Sequence, residues 1–162
     1  MPDFGVLNAP PLVKQVDEMS CWAAAMEAWL AVASGRKLRS QHELIGVMQQ
    51  KGALNDDGYL IIKKGIPILA QMAGMSIQVF PKHRKSQLTA SSLLKKLVKG
   101  HVYMGYNVFG IGHAVVVYGV VDDPSNERIF AMDPWMGRGY TSDTLSDYKR
   151  DSDEFFIGWP AY

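Results

Sequence analysis

The 162-residue sequence has a single cysteine, Cys21, which excludes an intrachain disulfide framework and a zinc cage built from cysteines. It also lacks a surplus of either charge. Seventeen basic residues stand against 16 acidic ones, for a formal net charge of +1, and this leaves no electrostatic footprint for nucleic acid or an anionic membrane. Lys95, Lys96 and Lys99 read as the solvated face of a helix. No apolar run approaches the roughly 20 residues that a membrane span requires. Met1-Pro2-Asp3-Phe4 lacks a basic region followed by an apolar segment, so neither a secretory signal nor a long inhibitory pro-segment is expected. There is no internal repeat and no low-complexity tract. What the chain does have is 48% hydrophobic residues, enough for one compact domain over residues 1–162 with a sizeable core.

The lone cysteine lies in Gln15-Val16-Asp17-Glu18-Met19-Ser20-Cys21-Trp22. Ser20 is a good helix N-cap, and Trp22, Ala25, Met26, Trp29 and Val32 or Ala33 fall on one 3.6-residue stripe that Gly35 ends. Cys21 therefore opens a helix, where unsatisfied N–H groups and the macrodipole favour a thiolate by about 0.3–1 kcal/mol. A factor of ten in that equilibrium needs about 1.4 kcal/mol. A reactive cysteine thus needs a second partner, and without one Cys21 is a small buried apolar residue.

Along the chain, Asn8-Ala9-Pro10-Pro11 runs extended, and Ser40-Gln41-His42-Glu43 is a capping box for a second helix. That helix buries Ile45, Val47 and Met48, leaves His42 exposed and stops near Gly52. Asn55-Asp56-Asp57-Gly58 is a turn that lacks the later ligands of a calcium loop. Pro67 starts a short helix over Ile68 to Ala73 that Gly74 ends, and Ser76 to Phe80 alternates as a strand. Ala90 to Lys99 reads as a helix with Leu93, Leu94, Leu97 and Val98 inward, stopped by Gly100. Beyond it, His101 to Val108, His113 to Val121, Arg128 to Met132 and Phe155 to Ile157 are β-rich runs. Turns at Gly110-Ile111-Gly112, Asp122 to Asn126 and Gly137 to Gly139 separate them. Helices first and strands afterwards indicate an α+β domain whose mostly antiparallel sheet packs on the first helix.

Three further segments carry polar groups suited to a thiol. His113 heads the apolar run Ala114-Val115-Val116-Val117 after Gly112, Asp133 closes a strand before Pro134-Trp135, and Gln15 precedes the helix. Each has an ordinary reading: a satisfied structural histidine, a turn-capping aspartate and a surface glutamine. Together they supply what acyl transfer at a thiol needs: a nucleophile, a base, an acceptor to orient the base, and a donor for the oxyanion.

These residues carry a resemblance. Gln15, five intervening residues and Cys21-Trp22 resemble the oxyanion glutamine and nucleophile of the papain-like cysteine peptidases. His113-Ala114-Val115 with Gly119 resembles their histidine strand, and Asp133-Pro134-Trp135 is similar to their Asn-x-Trp segment with Asp in place of Asn. The order along the chain is also the family's. In papain and the cathepsins His and Asn follow the Cys by about 130–150 residues, whereas His113 and Asp133 follow Cys21 by 92 and 112. The compact size, the Asp and the Asp-Pro-x-x-Gly run at Asp133 to Gly137 resemble the bacterial branch: bacteriocin-processing double-glycine peptidases and papain-like effector or toxin peptidases.

The resemblance implies a papain-like α+β fold, N-terminal helices with the nucleophile helix packed on a C-terminal antiparallel sheet. It implies a cysteine endopeptidase with Cys21 as nucleophile, His113 as base and acid, Asp133 as orienting acceptor, and Gln15 with the Cys21 N–H as oxyanion donors. Trp135 would shield the His113–Asp133 hydrogen bond, Trp22 would pack under the cleft, and Gly112 would border it. No cofactor or metal is called for. The partners implied are a protein substrate, cut after Gly-Gly if the processing branch applies, and a cognate inhibitor or immunity protein covering the cleft. The expected place of synthesis is a bacterial cytoplasm, with delivery by a secretion system into a target cell. Two alternatives stay open: glutamine deamidation or transglutamination through the same acyl-thioester, and a non-catalytic module that binds peptides.

Overall fold

A computed structural model describes residues 3–108, 111–150 and 152–161. In chain order the elements are β1 (Asp3–Val6), α1 (Cys21–Val32), α2 (Gln41–Gln50), α3 (Ile62–Ala73) and β2 (Met75–Phe80). A 3-10 turn over Lys82–Gln87 leads to α4 (Ala90–Leu97), β3 (Val102–Val108), β4 (Ile111–Asp122), β5 (Arg128–Asp133), β6 (Gly139–Thr144), α5 (Leu145–Arg150) and β7 (Ser152–Pro160). The strands form one antiparallel sheet in the order β2-β7-β3-β4-β5-β6, with β1 paired to the far end of β4. The α+β class expected from the sequence is the one observed.

The sheet is covered on both faces, and strand alternation decides which side chains serve which layer. Ala114 and Val116 of β4, Tyr103 of β3, Met132 of β5 and Phe156 of β7 join α1, α2 and α3 in one core. Their neighbours Val115, Val117, Met104, Ala131, Phe155 and Ile157 join α4 and α5 in a second. Helix α1 is wrapped on nearly every side: Ala23, Ala24 and Ala28 are as buried as Met26 and Trp29. The single stripe expected for it is thus widened to almost the whole circumference, because the sheet and α2 take different faces. Glu27 of α1 also accepts the first backbone N–H of α2, from Gln41 at 2.6 Å.

Several local expectations are corrected. Pro67 lies inside α3, which starts at Ile62. Lys64 and Gly65 N–H groups bond to Ile61 O at 3.1 and 2.7 Å and establish the first turn before the proline removes a later donor. Val98 follows α4 and is 85% exposed, while Ala90, Leu93 and Leu97 face inward. In α2 it is Leu44 and Met48 that are fully buried, with Ile45 and Val47 at the margin. Its capping box is half formed: Ser40 Oγ accepts from Glu43 N at 3.1 Å, but Arg39 takes the Glu43 carboxylate. The turn expected over Gly137 to Gly139 leads directly into β6, and β1 and α5 were not anticipated. Gly110, the first residue of the turn expected at Gly110–Gly112, lies outside the described residues. Among the described residues no helix is long and apolar enough to cross a membrane.

Candidate active site

Helix α1 presents Cys21 as its first residue, with an N-terminus left open to ligands. Ser20 is the residue before the helix, and its carbonyl accepts from Ala23 and Ala24 N–H groups, both at 3.1 Å. Its hydroxyl, however, donates to Asp17 Oδ1 at 2.6 Å and caps nothing. Asp17 Oδ1 also accepts from Met19 N at 2.9 Å, so one carboxylate folds the loop that delivers the cysteine. No acidic residue lies in its first turn, so the positive end of the helix falls at Cys21, with the Asp17 carboxylate bonded to Ser20 just ahead of it.

Across the cleft β4 carries Gly112 and His113, and β5 ends at Asp133. The Cys21 thiol donates to Gly112 O, with Sγ 3.6 Å away. His113 Nε2 lies 2.7 Å from Asp133 Oδ1, which also accepts the Trp135 N–H at 2.9 Å. With Nε2 so engaged, Nδ1 is the ring nitrogen left to exchange a proton with the thiol. Burial works against a charged imidazole here, but the hydrogen bond to Asp133 and the interaction with Cys21 outweigh it and raise the His113 pKa from 6.5 to about 9. For Asp133, burial likewise opposes ionisation, while His113, the Trp135 N–H and Arg138 more than compensate and hold the carboxyl below its ordinary value. These contacts favour the protonated ring at neutral pH, and a thiolate beside it would have a counter-ion.

Two recesses meet at Cys21, Tyr106, Gly112 and His113. One, of about 460 Å³, is walled mainly by Trp22, Tyr59, Leu60, Ile62, Ile66 and Phe156. The other, of about 600 Å³, has Glu18, Asp133, Trp135, Arg138, Asp143 and Tyr148 on its walls. Trp135, 41% exposed, stands edge-on to His113 with centroids 6.3 Å apart. Trp22 is buried, and its carbonyl accepts from Tyr103 Oη at 2.9 Å.

Gln15 is not on the surface. It is buried, its N–H donates to Pro134 O at 3.0 Å, and its Nε2 donates to Asp17 O at 2.7 Å. Gln15 thus adjoins the turn after Asp133 but contributes to the wall of neither recess.

Two residues of the site were not singled out from the sequence. Tyr106 pairs with His113 across β3 and β4 and meets its ring edge-on at 5.5 Å. Arg138 approaches the second oxygen of Asp133. The first could have been found by folding the two β-rich runs about their Gly-containing turn, and the second by noticing a lone cation after Asp-Pro-x-x-Gly. The Asn55 turn is held by Asn55 itself, whose Oδ1 accepts from Asp57 and Tyr59 N–H groups at 3.0 Å. Among the described residues no group of three or more His, Cys, Asp or Glu is placed to hold a metal ion.

The family described as papain-like cysteine protease AvrRpt2 matches residues 4–153. No curated protein matches at the level of sequence. Among solved structures, the peptidase domain of Streptococcus ComA, a bi-functional ABC transporter in a quorum-sensing pathway, is similar. It has a TM-score of 0.62 and 16% identity over 92% of this chain and 97% of that one. UfSP from C. elegans gives a TM-score of 0.66 at 11% identity over 99% of this chain, which spans 34% of that one. The Streptococcus mutans ComA peptidase domain bound to a small-molecule inhibitor gives 0.51 at 17% identity, with 93% and 99% covered. At these identities the solved structures show a shared fold.

Proposed function

The chain belongs to the papain-like cysteine proteases of the AvrRpt2 family, and from that premise we propose that it is an endopeptidase working through Cys21, His113 and Asp133. The supporting observation is the 2.7 Å contact between His113 Nε2 and Asp133 Oδ1 beside a cysteine that begins a helix. The Cys21 thiolate attacks a peptide carbonyl carbon, and the carbonyl π electrons move to oxygen. The Cys21 N–H stabilises that oxyanion, and Gln15 joins it once its Nε2, bonded to Asp17 O, turns into the cleft. As the tetrahedral centre collapses, the C–N bond breaks and His113 Nδ1 gives its proton to the leaving amine. Water then attacks the thioester, His113 takes the water's proton, the C–S bond breaks, and the carboxylic product leaves with the Cys21 thiolate and protonated His113 restored. Asp133 stays ionised throughout, and Trp135 keeps water from the His113–Asp133 hydrogen bond.

Substrates are proteins of a target cell. This effector reading and a preference for cutting after Gly-Gly rest on resemblance to the bacterial branch, as does a cognate inhibitor covering the cleft. Incubating a protein and peptide panel with the wild type and Cys21→Ala is the direct test. Cleavage confined to the wild type is expected, and equal cleavage by both overturns the assignment. Equal turnover of Ala-Ala and Gly-Gly sites in that panel removes the Gly-Gly preference. A stabilising thermal shift with a product of a neighbouring gene is expected for an inhibitor, and the absence of any such binder counts against one.

A further inference from the structure

Asp133 has two carboxylate oxygens, and the triad uses one of them. Oδ1 is taken by His113 Nε2 and the Trp135 N–H. Oδ2 lies 3.5 Å from Arg138 Nε, and Arg138 Nη2 lies 3.0 Å from Asp143 Oδ2 on β6. The hairpin between β5 and β6 builds all of this at once. Asp133 and Gly139 are register partners, and Gly137 and Gly139 adopt φ of +85° and +69°. The chain turns with Arg138 N donating to Trp135 O at 3.0 Å. One turn thereby supplies the acceptor for His113, the N–H that fixes it, the aromatic cover and a cation.

A carboxylate can serve a cation on each oxygen, whereas an amide has a single acceptor oxygen and must turn an NH2 toward one of the two. An Asn here, as in the Asn-x-Trp segment that Asp133-Pro134-Trp135 resembles, would therefore be mismatched beside Arg138. We propose that Arg138, held by Asp143, is a positioning residue: it occupies the second oxygen of Asp133, keeps Oδ1 on His113, and makes an acid the required third member. It also draws on the charge of Asp133, and this limits how tightly His113 retains the proton it must give up. The inference rests on the catalytic reading above.

Among the described residues, the titratable and charged groups around His113 are Cys21, Tyr106, Glu18, Asp133, Arg138, Asp143 and the α5 residues Asp147, Tyr148 and Arg150 in one recess, and Tyr59, Lys63, Tyr103 and Glu154 in the other. Arg138 is, among the described residues, the cation in contact with the His113–Asp133 pair. At 49% side-chain exposure on a turn, it can be replaced without opening the core.

The test is the pH profile of Cys21 alkylation by iodoacetamide on the full chain. In Arg138→Gln the upper inflection, where the imidazolium is lost, moves up by about half a pH unit, the size expected for a unit charge several ångströms away through largely aqueous surroundings. Arg138→Lys keeps the charge and leaves the inflection near that of the wild type. Asp133→Asn slows alkylation at neutral pH by about tenfold, one pKa unit's worth of lost support for the ion pair. Asp133→Asn with Arg138→Gln recovers about threefold of that loss, the counterpart of the half-unit shift. An unmoved inflection in Arg138→Gln, or a double variant as slow as Asp133→Asn, overturns the inference. His113→Ala tests the underlying reading separately: a profile equal to that of the wild type sinks the triad itself, whereas a lost inflection there with no response to Arg138 sinks the role of Arg138 alone.

Discussion

The His113–Asp133 pair should make the stability of this protein depend on pH in a direction the structure fixes. His113, with its side chain 15% exposed, has its pKa raised from 6.5 to about 9: burial opposes the charge, and the bond to Asp133 and the interaction with Cys21 prevail. A folded state that binds a proton more tightly than the unfolded one is stabilised fully below the unfolded pKa and loses that contribution as pH rises through the folded pKa. At about 1.36 kcal/mol per unit the whole displacement corresponds to about 3 kcal/mol. The lowered pKa of Asp133 is in part the same interaction seen from its partner and is not added. Asp133 also stays ionised across this window and contributes no slope of its own. A Cys21→Ala background removes the thiol's share, so the contribution read there is smaller than the whole displacement. Urea unfolding of Cys21→Ala and of Cys21→Ala with His113→Gln, from about pH 6 to about pH 10, reads the contribution as the gap between the two stability curves. The gap should narrow as pH rises, by less than about 3 kcal/mol. A gap constant to within about 0.5 kcal/mol would refute the reasoning.

Two packing predictions follow from the sheet. In Gly105→Ala the new Cβ would overlap Phe156 Cε1 on the paired strand, so β3 or Phe156 must shift; a cost of about 1–3 kcal/mol is expected, read as a fall of several degrees in thermal melting, and an unchanged melt would contradict the packing. Leu93→Ala should cost about 2–5 kcal/mol because Leu93 is fully buried, whereas Val98→Ala, at 85% exposure, should stay within about 0.5 kcal/mol; urea midpoints in the opposite order would reverse the assignment of that helix face.

Long periodic segments were the legible part of this sequence. Trp22 to Val32 and Ala90 to Leu97 announce helices, and the apolar run after His113 announces a central strand, because period and length agree in each. Val98 was misread because one residue beyond a helix end still matches the 3.6-residue stripe, although the chain has already turned toward Gly100. The start of α3 was obscured by Pro67, which usually opens a helix but here follows a turn already secured by Ile61. Strand β6, Gly139–Thr144, carries little apolar signal in Gly-Tyr-Thr-Ser-Asp-Thr, since its pairing comes from the preceding hairpin and not from a buried face. The candidate residues Cys21, His113 and Asp133 could be named from type and order. Their partners Tyr106 and Arg138 emerge only once the β-rich runs are folded about their turns, because register and turn geometry bring them in.

The placement of Gln15 shows how the two halves of the chain depend on each other at this site. The extended segment before α1 has no helix or strand to hold it, yet its backbone is bonded on two sides. Gln15 N donates to Pro134 O in the hairpin that carries Asp133. On the other side, the buried Gln41 at the start of α2 accepts the Val16 N–H with Oε1 at 3.0 Å and donates from Nε2 to Lys14 O at 2.8 Å. A single side-chain amide thus satisfies a donor and an acceptor of the strap, as a strand partner would. Glu27 of α1 in turn fixes the backbone of Gln41. The strap is therefore referenced both to the helix that begins with Cys21 and to the strand that ends with Asp133. That double attachment fixes the backbone of Gln15 between the two elements that meet at the site, so only its side chain, bonded to Asp17 O, has to turn for its amide to meet charge developing there.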